Sequence, residues 1–134
     1  MSSFTDDLIV RVTTRQKRGR TIFVIEKQFR YAVGTLENPS EVINIPIGYE
    51  TDFVSIPRLA RLFINNSHRA KAAVIHDFML TQIDAGGTRK IAEADAIFRE
   101  ALGVLGANII ERNLYWASVR VTGKIKQLLG KPFS

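Results

Sequence analysis

Gly48-Tyr49-Glu50-Thr51-Asp52-Phe53-Val54-Ser55-Ile56-Pro57-Arg58 is the stretch on which the fold turns. Before it, apolar residues alternate with polar ones, the period of a half-buried strand. After it, they recur three and four residues apart, the period of a helix. Ser55 can accept a hydrogen bond from the free N–H groups of a first helical turn. Pro57 is tolerated there, because its missing N–H would have no partner in any case. The stretch therefore reads as a strand handing over to a helix.

Upstream, Leu8-Ile9-Val10-Arg11-Val12 is rich in strand formers, as is Thr21-Ile22-Phe23-Val24-Ile25, which reads on through Phe29 and Tyr31 to Val33. The charged run Arg15-Gln16-Lys17-Arg18-Gly19-Arg20 separates them as a turn, and Gly34-Thr35-Leu36-Glu37-Asn38-Pro39-Ser40 forms a second. Val42-Ile43-Asn44-Ile45-Pro46-Ile47 alternates again. Pro46 cannot donate to a ladder, so this strand is an edge or ends at a bulge. The pattern predicts an antiparallel meander.

Downstream, four helices are expected. The first is short, from Ser55 to about Asn65-Asn66. Ser67 caps the second, which runs through Ala70, Ala72, Ala73, Val74 and Ile75 to about Thr81. Ala85-Gly86-Gly87 breaks it, and Thr88 caps a third carrying Ile91, Ala94, Phe98, Ala101, Leu102 and Leu105. Gly106 ends that one. The fourth spans about Ile109 to Leu129, with Ile110, Leu114, Ala117, Val121 and Leu128 on one side. Strands first and helices after predict an α+β domain, with the helices packed on one face of the sheet. No linker or repeat divides residues 1–134, so a single domain is expected.

The 134 residues contain no cysteine, which excludes disulfides, thiolate zinc sites and cysteine nucleophiles. The net charge of +6 is uneven: residues 101–134 hold five basic side chains against one acidic. A basic end can meet an anion, or it can be a solvated helix face. Arg15, Lys17, Arg18 and Arg20 crowd one turn without interleaved aromatics, so nucleic acid is not expected as a specific ligand. No run approaches the roughly 18 apolar residues of a membrane span. The polar, acidic N-terminus lacks the basic and apolar regions of a signal peptide.

Asp95 breaks the pattern most informatively. It lies on the stripe Ile91, Asp95, Phe98, Leu102, which otherwise faces a core. A carboxylate there must be paired, hydrogen-bonded, protonated or metal-bound, because an isolated buried charge costs several kcal/mol. His76 and Asp77, on a helix apolar nearly all round, are the candidate partners. Asp52 sits at the strand-to-helix junction, where a rigid frame can hold a ligand or a base. Two readings stand. In one, Asp52, His76, Asp77 and Asp95 are catalytic residues or ligands of a divalent ion, manganese, magnesium or zinc, since one imidazole with several carboxylates suits such ions. In the other, His76 bonds Asp95 as a core pair, while Asp77 caps a loop or pairs with Arg58 or Arg89. Ser55 as a nucleophile would need His76 as its base, and capping explains it without one.

At these residues the chain resembles a phage and prophage family, the domain of unknown function numbered 1353. The pattern is a strand ending G-[FY]-x-T-D-F-x-S-I-P-R, then an H-D doublet, then R-x-x-A-D-x-x-F. It is matched by Gly48 to Arg58, by His76-Asp77, and by Ala94-Asp95 with Phe98. Arg89 stands six residues before Asp95, so the third block departs from the pattern. The resemblance implies a phage or prophage origin and supplies no activity. The expected role is a non-catalytic virion component (tail, baseplate or neck) or an assembly factor. Other phage proteins are then the expected partners, and the host cytoplasm the site of synthesis before packaging into a virion. Two alternatives stand beside it: a metal-dependent hydrolase using the Asp/His/Asp set on cell-wall peptide, and a small inhibitor or adaptor that binds a host protein.

Overall fold

The computed structural model describes residues 2–17, 19–35, 37–51 and 69–134. The chain divides into two compact units, Met1–Asp52 and Phe53–Ser134. The first unit is all β. Its strands are β1 (Ser3–Phe4), β2 (Val10–Lys17), β3 (Arg20–Ile25), β4 (Phe29–Gly34), β5 (Pro39–Ile45) and β6 (Glu50–Thr51). The second unit carries three helices, α1 (Ala70–Asp84), α2 (Ile91–Val104) and α3 (Ile109–Leu128). The α+β class and the order of strands before helices are as the sequence predicts.

The strands form two antiparallel three-stranded sheets, ordered β1-β4-β5 and β2-β3-β6, and not one continuous meander. The reading of Thr21 to Val33 as one extended run fails at Glu26-Lys27-Gln28, all three exposed. There the edge of β3 is taken by a returning segment: the Ile25 N–H donates to the Tyr49 carbonyl, and the Gly48 N–H donates to the Ile25 carbonyl, both at 2.9 Å. That return sets β6 beside β3, with Phe23 opposite Thr51. β4 meanwhile pairs with β1 and β5. Phe29, Tyr31, Ile43 and Ile45 are buried from alternate positions of β4 and β5. Phe4 of β1 packs its ring on Phe29 and Tyr31, at centroid distances of 5.6 and 4.5 Å. β5 stops at Ile45, immediately before Pro46, at the edge of its sheet.

Three helices, not about four, are found among the described residues. The expected short first helix and the Ser67 cap fall on residues 52–68, outside them. α1 ends as anticipated: Gly86 adopts a φ of 96°, and the Gly87 N–H closes on the Gln82 carbonyl at 2.9 Å. Thr88 does not cap α2. The helix starts at Ile91, and its flanking residue is Lys90, in extended backbone and without a side-chain cap. Gly106, with a φ of 94°, ends α2 in the same manner as Gly86 ends α1.

α1 packs against α2, and α2 against α3. The core of this unit is Val74, Ile75 and Met79 of α1, Phe98 and Leu102 of α2, and Tyr115 and Val119 of α3. The Asn108 side chain caps α3 by accepting from the Glu111 N–H at 2.9 Å. An ion pair between Arg69 and Glu111 ties the start of α1 to the first turn of α3. The apolar row expected on α3 does not face this core. Ile110 (76% exposed), Val121 and Leu128 (86%) lie open, and the helix buries the side with Tyr115 and Val119. Helical spacing identifies a stripe and cannot say whether a partner covers it.

Candidate functional site

Positions 91, 95, 98 and 102 fall on one face of α2, which places Asp95 among buried side chains. His76 stands in the middle of α1 and is reached from that face. Its Nε2 is 2.7 Å from Asp95 Oδ1, and both side chains are 1% exposed. The second carboxylate oxygen, Oδ2, accepts from Arg120 of α3 at 3.1 Å. The Arg120 side chain is 26% exposed, so the guanidinium bridges from the buried carboxylate towards water. One charge-assisted chain thus joins all three helices: His76 of α1, Asp95 of α2 and Arg120 of α3. The ring of Phe98 packs on the imidazole at a centroid distance of 4.7 Å.

The chain fixes the histidine's tautomer. Asp95 is balanced by Arg120 and, as an ionised carboxylate, only accepts, so His76 Nε2 carries the proton. In the neutral imidazole the remaining lone pair is then on Nδ1. That atom is buried and has no hydrogen-bond partner among the described residues. An imidazole oriented by a carboxylate is the arrangement of a general base. Here the atom that would take a proton is buried. A void of about 10 Å³, lined in part by His76, Asp95, Thr122 and Lys126, lies beside the pair. It has room for one water molecule at most.

Of the four residues singled out from the sequence, the structure brings His76 and Asp95 together. Asp77 is buried one position along α1, where its backbone carbonyl accepts from Thr81 Oγ1 at 2.9 Å. The bonded chain runs through His76, Asp95 and Arg120. Asp52, like Ser55 and Arg58, lies outside the described residues; β6 ends immediately before it, at the buried Thr51. Arg89 pairs with Glu93 at 2.8 Å. Among the described residues, no group of three or more histidine, aspartate and glutamate side chains is placed to hold a metal ion.

Arg120 is the member that sequence reasoning missed. It sits in the basic C-terminal stretch, where its charge looks like surface. The signal was indirect: a carboxylate on a buried stripe needs a partner, a cation is one kind that serves, and Arg120 neighbours the buried Val119.

A family model described as a protein of unknown function, DUF1353, matches residues 23–119. The chain belongs to the DUF1353 family. The match runs from within β3 to Val119 and contains Asp52, His76, Asp77 and Asp95, so the DUF1353 region carries the whole candidate set. Arg120 is the first residue beyond it. Searches of curated proteins and of solved structures each found no match. No helix among the described residues is long and apolar enough to cross a membrane.

Proposed function

We propose that this DUF1353 protein is a non-catalytic component of a phage or prophage particle, or a factor in its assembly. In this reading the His76–Asp95–Arg120 chain is a lock between helices. The observation that carries the proposal is the state of the histidine: Nε2 is spent on Asp95, and Nδ1 is buried with no partner among the described residues. The polar chain has what a structural clamp needs, a carboxylate with both oxygens occupied. The exposed apolar row on α3 supports a role among partners, because contiguous apolar surface is what assembly buries. The competing reading, a metal-dependent hydrolase built on Asp52, His76, Asp77 and Asp95, requires an ion to reach the buried His76 Nδ1 while Nε2 stays on Asp95, or His76 to release Asp95.

The test is calorimetric titration of the purified protein with zinc, manganese and magnesium, repeated on His76→Gln and Asp77→Asn, beside mass spectrometry of purified particles. The expected result is no tight ion binding, a lowered melting temperature in the variants, and the protein present in particles or their assembly intermediates. Micromolar or tighter binding that both variants abolish, with melting temperature preserved, would replace this proposal with the hydrolase.

A further inference from the structure

The helical unit holds a second feature, which the His76–Asp95 pair does not explain. A groove of about 390 Å³ opens between the start of α2 and the second half of α3. Arg89 and Lys90 enter it from one side, and Arg120 and Lys124 from the other. Among the described residues, no acidic side chain lines it. Four cations around one concavity repel each other, and the low-dielectric wall concentrates their potential in the groove. Two of the four are held in ion pairs that offset part of this charge: Arg89 with Glu93 at 2.8 Å, and Arg120 with Asp95 at 3.1 Å. Lys90 and Lys124 are exposed and engage no carboxylate among the described residues.

The rest of the wall is different in kind. Phe133 lines the groove with Ile83 and Ile91, and Gln127 adds a side-chain amide. Phe133 is not a loose aromatic. Its N–H donates to Asp84 Oδ1 and its carbonyl accepts from Lys126 Nζ, each at 2.8 Å. Gly123 lies between these parts, and a Cβ there would meet only the Ile91 side chain, at 3.5 Å. The groove therefore has a cationic end, an anchored aromatic wall, an amide that can both donate and accept, and an open floor. Its volume is that of a small-ligand site.

We infer that this groove binds a nucleoside phosphate: the phosphate at Lys90, Lys124 and Arg89, and the base against Phe133 with its edge towards Gln127. A phosphate suits the cationic end because it accepts several charge-assisted hydrogen bonds at once. The uncapped start of α2 adds N–H groups of the same polarity. A flat base suits an aromatic wall, where stacking contributes without demanding a sequence. The phosphate can come from a free nucleotide or from the 5′ end of a nucleic-acid strand. The inference goes beyond the structural role proposed above and does not depend on it.

The test is calorimetric titration of the full chain with inorganic phosphate, a nucleoside, its 5′-monophosphate, and short oligonucleotides with and without a 5′-phosphate. The monophosphate is expected to bind at least tenfold more tightly than the nucleoside or inorganic phosphate. The double variant Lys90→Gln/Lys124→Gln removes two exposed charges, and is expected to weaken monophosphate binding at least tenfold with the melting temperature unchanged. Phe133→Ala is expected to weaken the monophosphate and leave inorganic phosphate as it was. A 5′-phosphorylated strand that outcompetes the free monophosphate assigns the strand end as the source, and the reverse assigns the nucleotide. No saturable binding of any phosphorylated probe at millimolar concentration overturns the inference. Binding that is unchanged in the double variant overturns it equally.

Discussion

His76 Nε2 and Asp95 Oδ1 meet at 2.7 Å in the interior of the helical unit, and Arg120 completes the carboxylate's bonding from α3. Asp95 holds both contacts, so its loss leaves two partners unserved at once. His76 would keep a buried N–H with no acceptor. Arg120, already part-exposed, could turn to water. Removing one partner of a buried pair costs about 3–5 kcal/mol, and the escape open to Arg120 places Asp95→Ala near 3 kcal/mol. Urea unfolding of wild type and variant gives the number. A loss under about 1 kcal/mol, the range of exposed pairs, would mean the chain is not a lock.

The C-terminal segment should let go in acid. Asp84 accepts from the N–H groups of Phe133 and Ser134 and from the Ser134 hydroxyl. Burial pushes its carboxyl up, but these hydrogen bonds and the nearby Lys126 charge outweigh that and hold it below the ordinary 3.8. A depressed carboxylate stabilises the fold fully above its ordinary value. That stabilisation is lost as the pH falls through the lowered one. The segment is thus expected to stay docked at neutral pH and to detach below about pH 4. The amide shifts of Phe133 and Ser134, followed by NMR from pH 6 downwards, check it. Detachment with a midpoint near neutrality would contradict the assignment to Asp84.

Asn108→Ala removes the acceptor for the Glu111 N–H at the start of α3. The expected cost is about 1 kcal/mol, the usual value of a lost N-cap. Asn108→Ser, which restores an acceptor at that position, should recover most of it in the same thermal-melt comparison.

Two glycines should respond to alanine with opposite signs. At Gly87 a Cβ would stand 2.8 Å from the Gln82 carbonyl oxygen, a backbone atom that cannot swing away. Gly87→Ala is expected to cost about 1–3 kcal/mol. Gly123 lies inside α3, where a Cβ would make only ordinary contact with Ile91. Gly123→Ala should stabilise by about 0.5–1 kcal/mol, because alanine loses less backbone entropy in a helix. Chemical denaturation of the two variants side by side reads both signs.

The sequence revealed more about the interior of elements than about their associations. Asp95 was legible because a carboxylate on an apolar stripe must be answered, and His76 because its helix was apolar nearly all round. Gly86 and Gly106 marked helix ends by their chemistry alone. The split into two sheets was not legible. It depends on Gly48 and Tyr49 returning to Ile25, a pairing between residues more than twenty apart that leaves no local period. Arg120 was hidden for a related reason: its partner is on another helix, and the charges around it resemble a solvated face. The Thr88 cap failed because the turn after Gly86 and Gly87 extends to Lys90 before the helix begins.

β2 is the outer strand of its sheet, and its register slips between Val12 and Gln16. A straight, apolar outer strand is a template onto which another chain can hydrogen-bond. This one is kinked and carries Arg11, Arg15 and Lys17, all exposed. A second molecule aligning there would meet a broken ladder and the charge of Lys17, with Arg11 and Arg15 already paired to Glu26 and Glu50. At high concentration the protein should therefore resist growth into cross-β fibres from this border. Acidic crowding agents that mask Lys17 would be the conditions under which that resistance fails first.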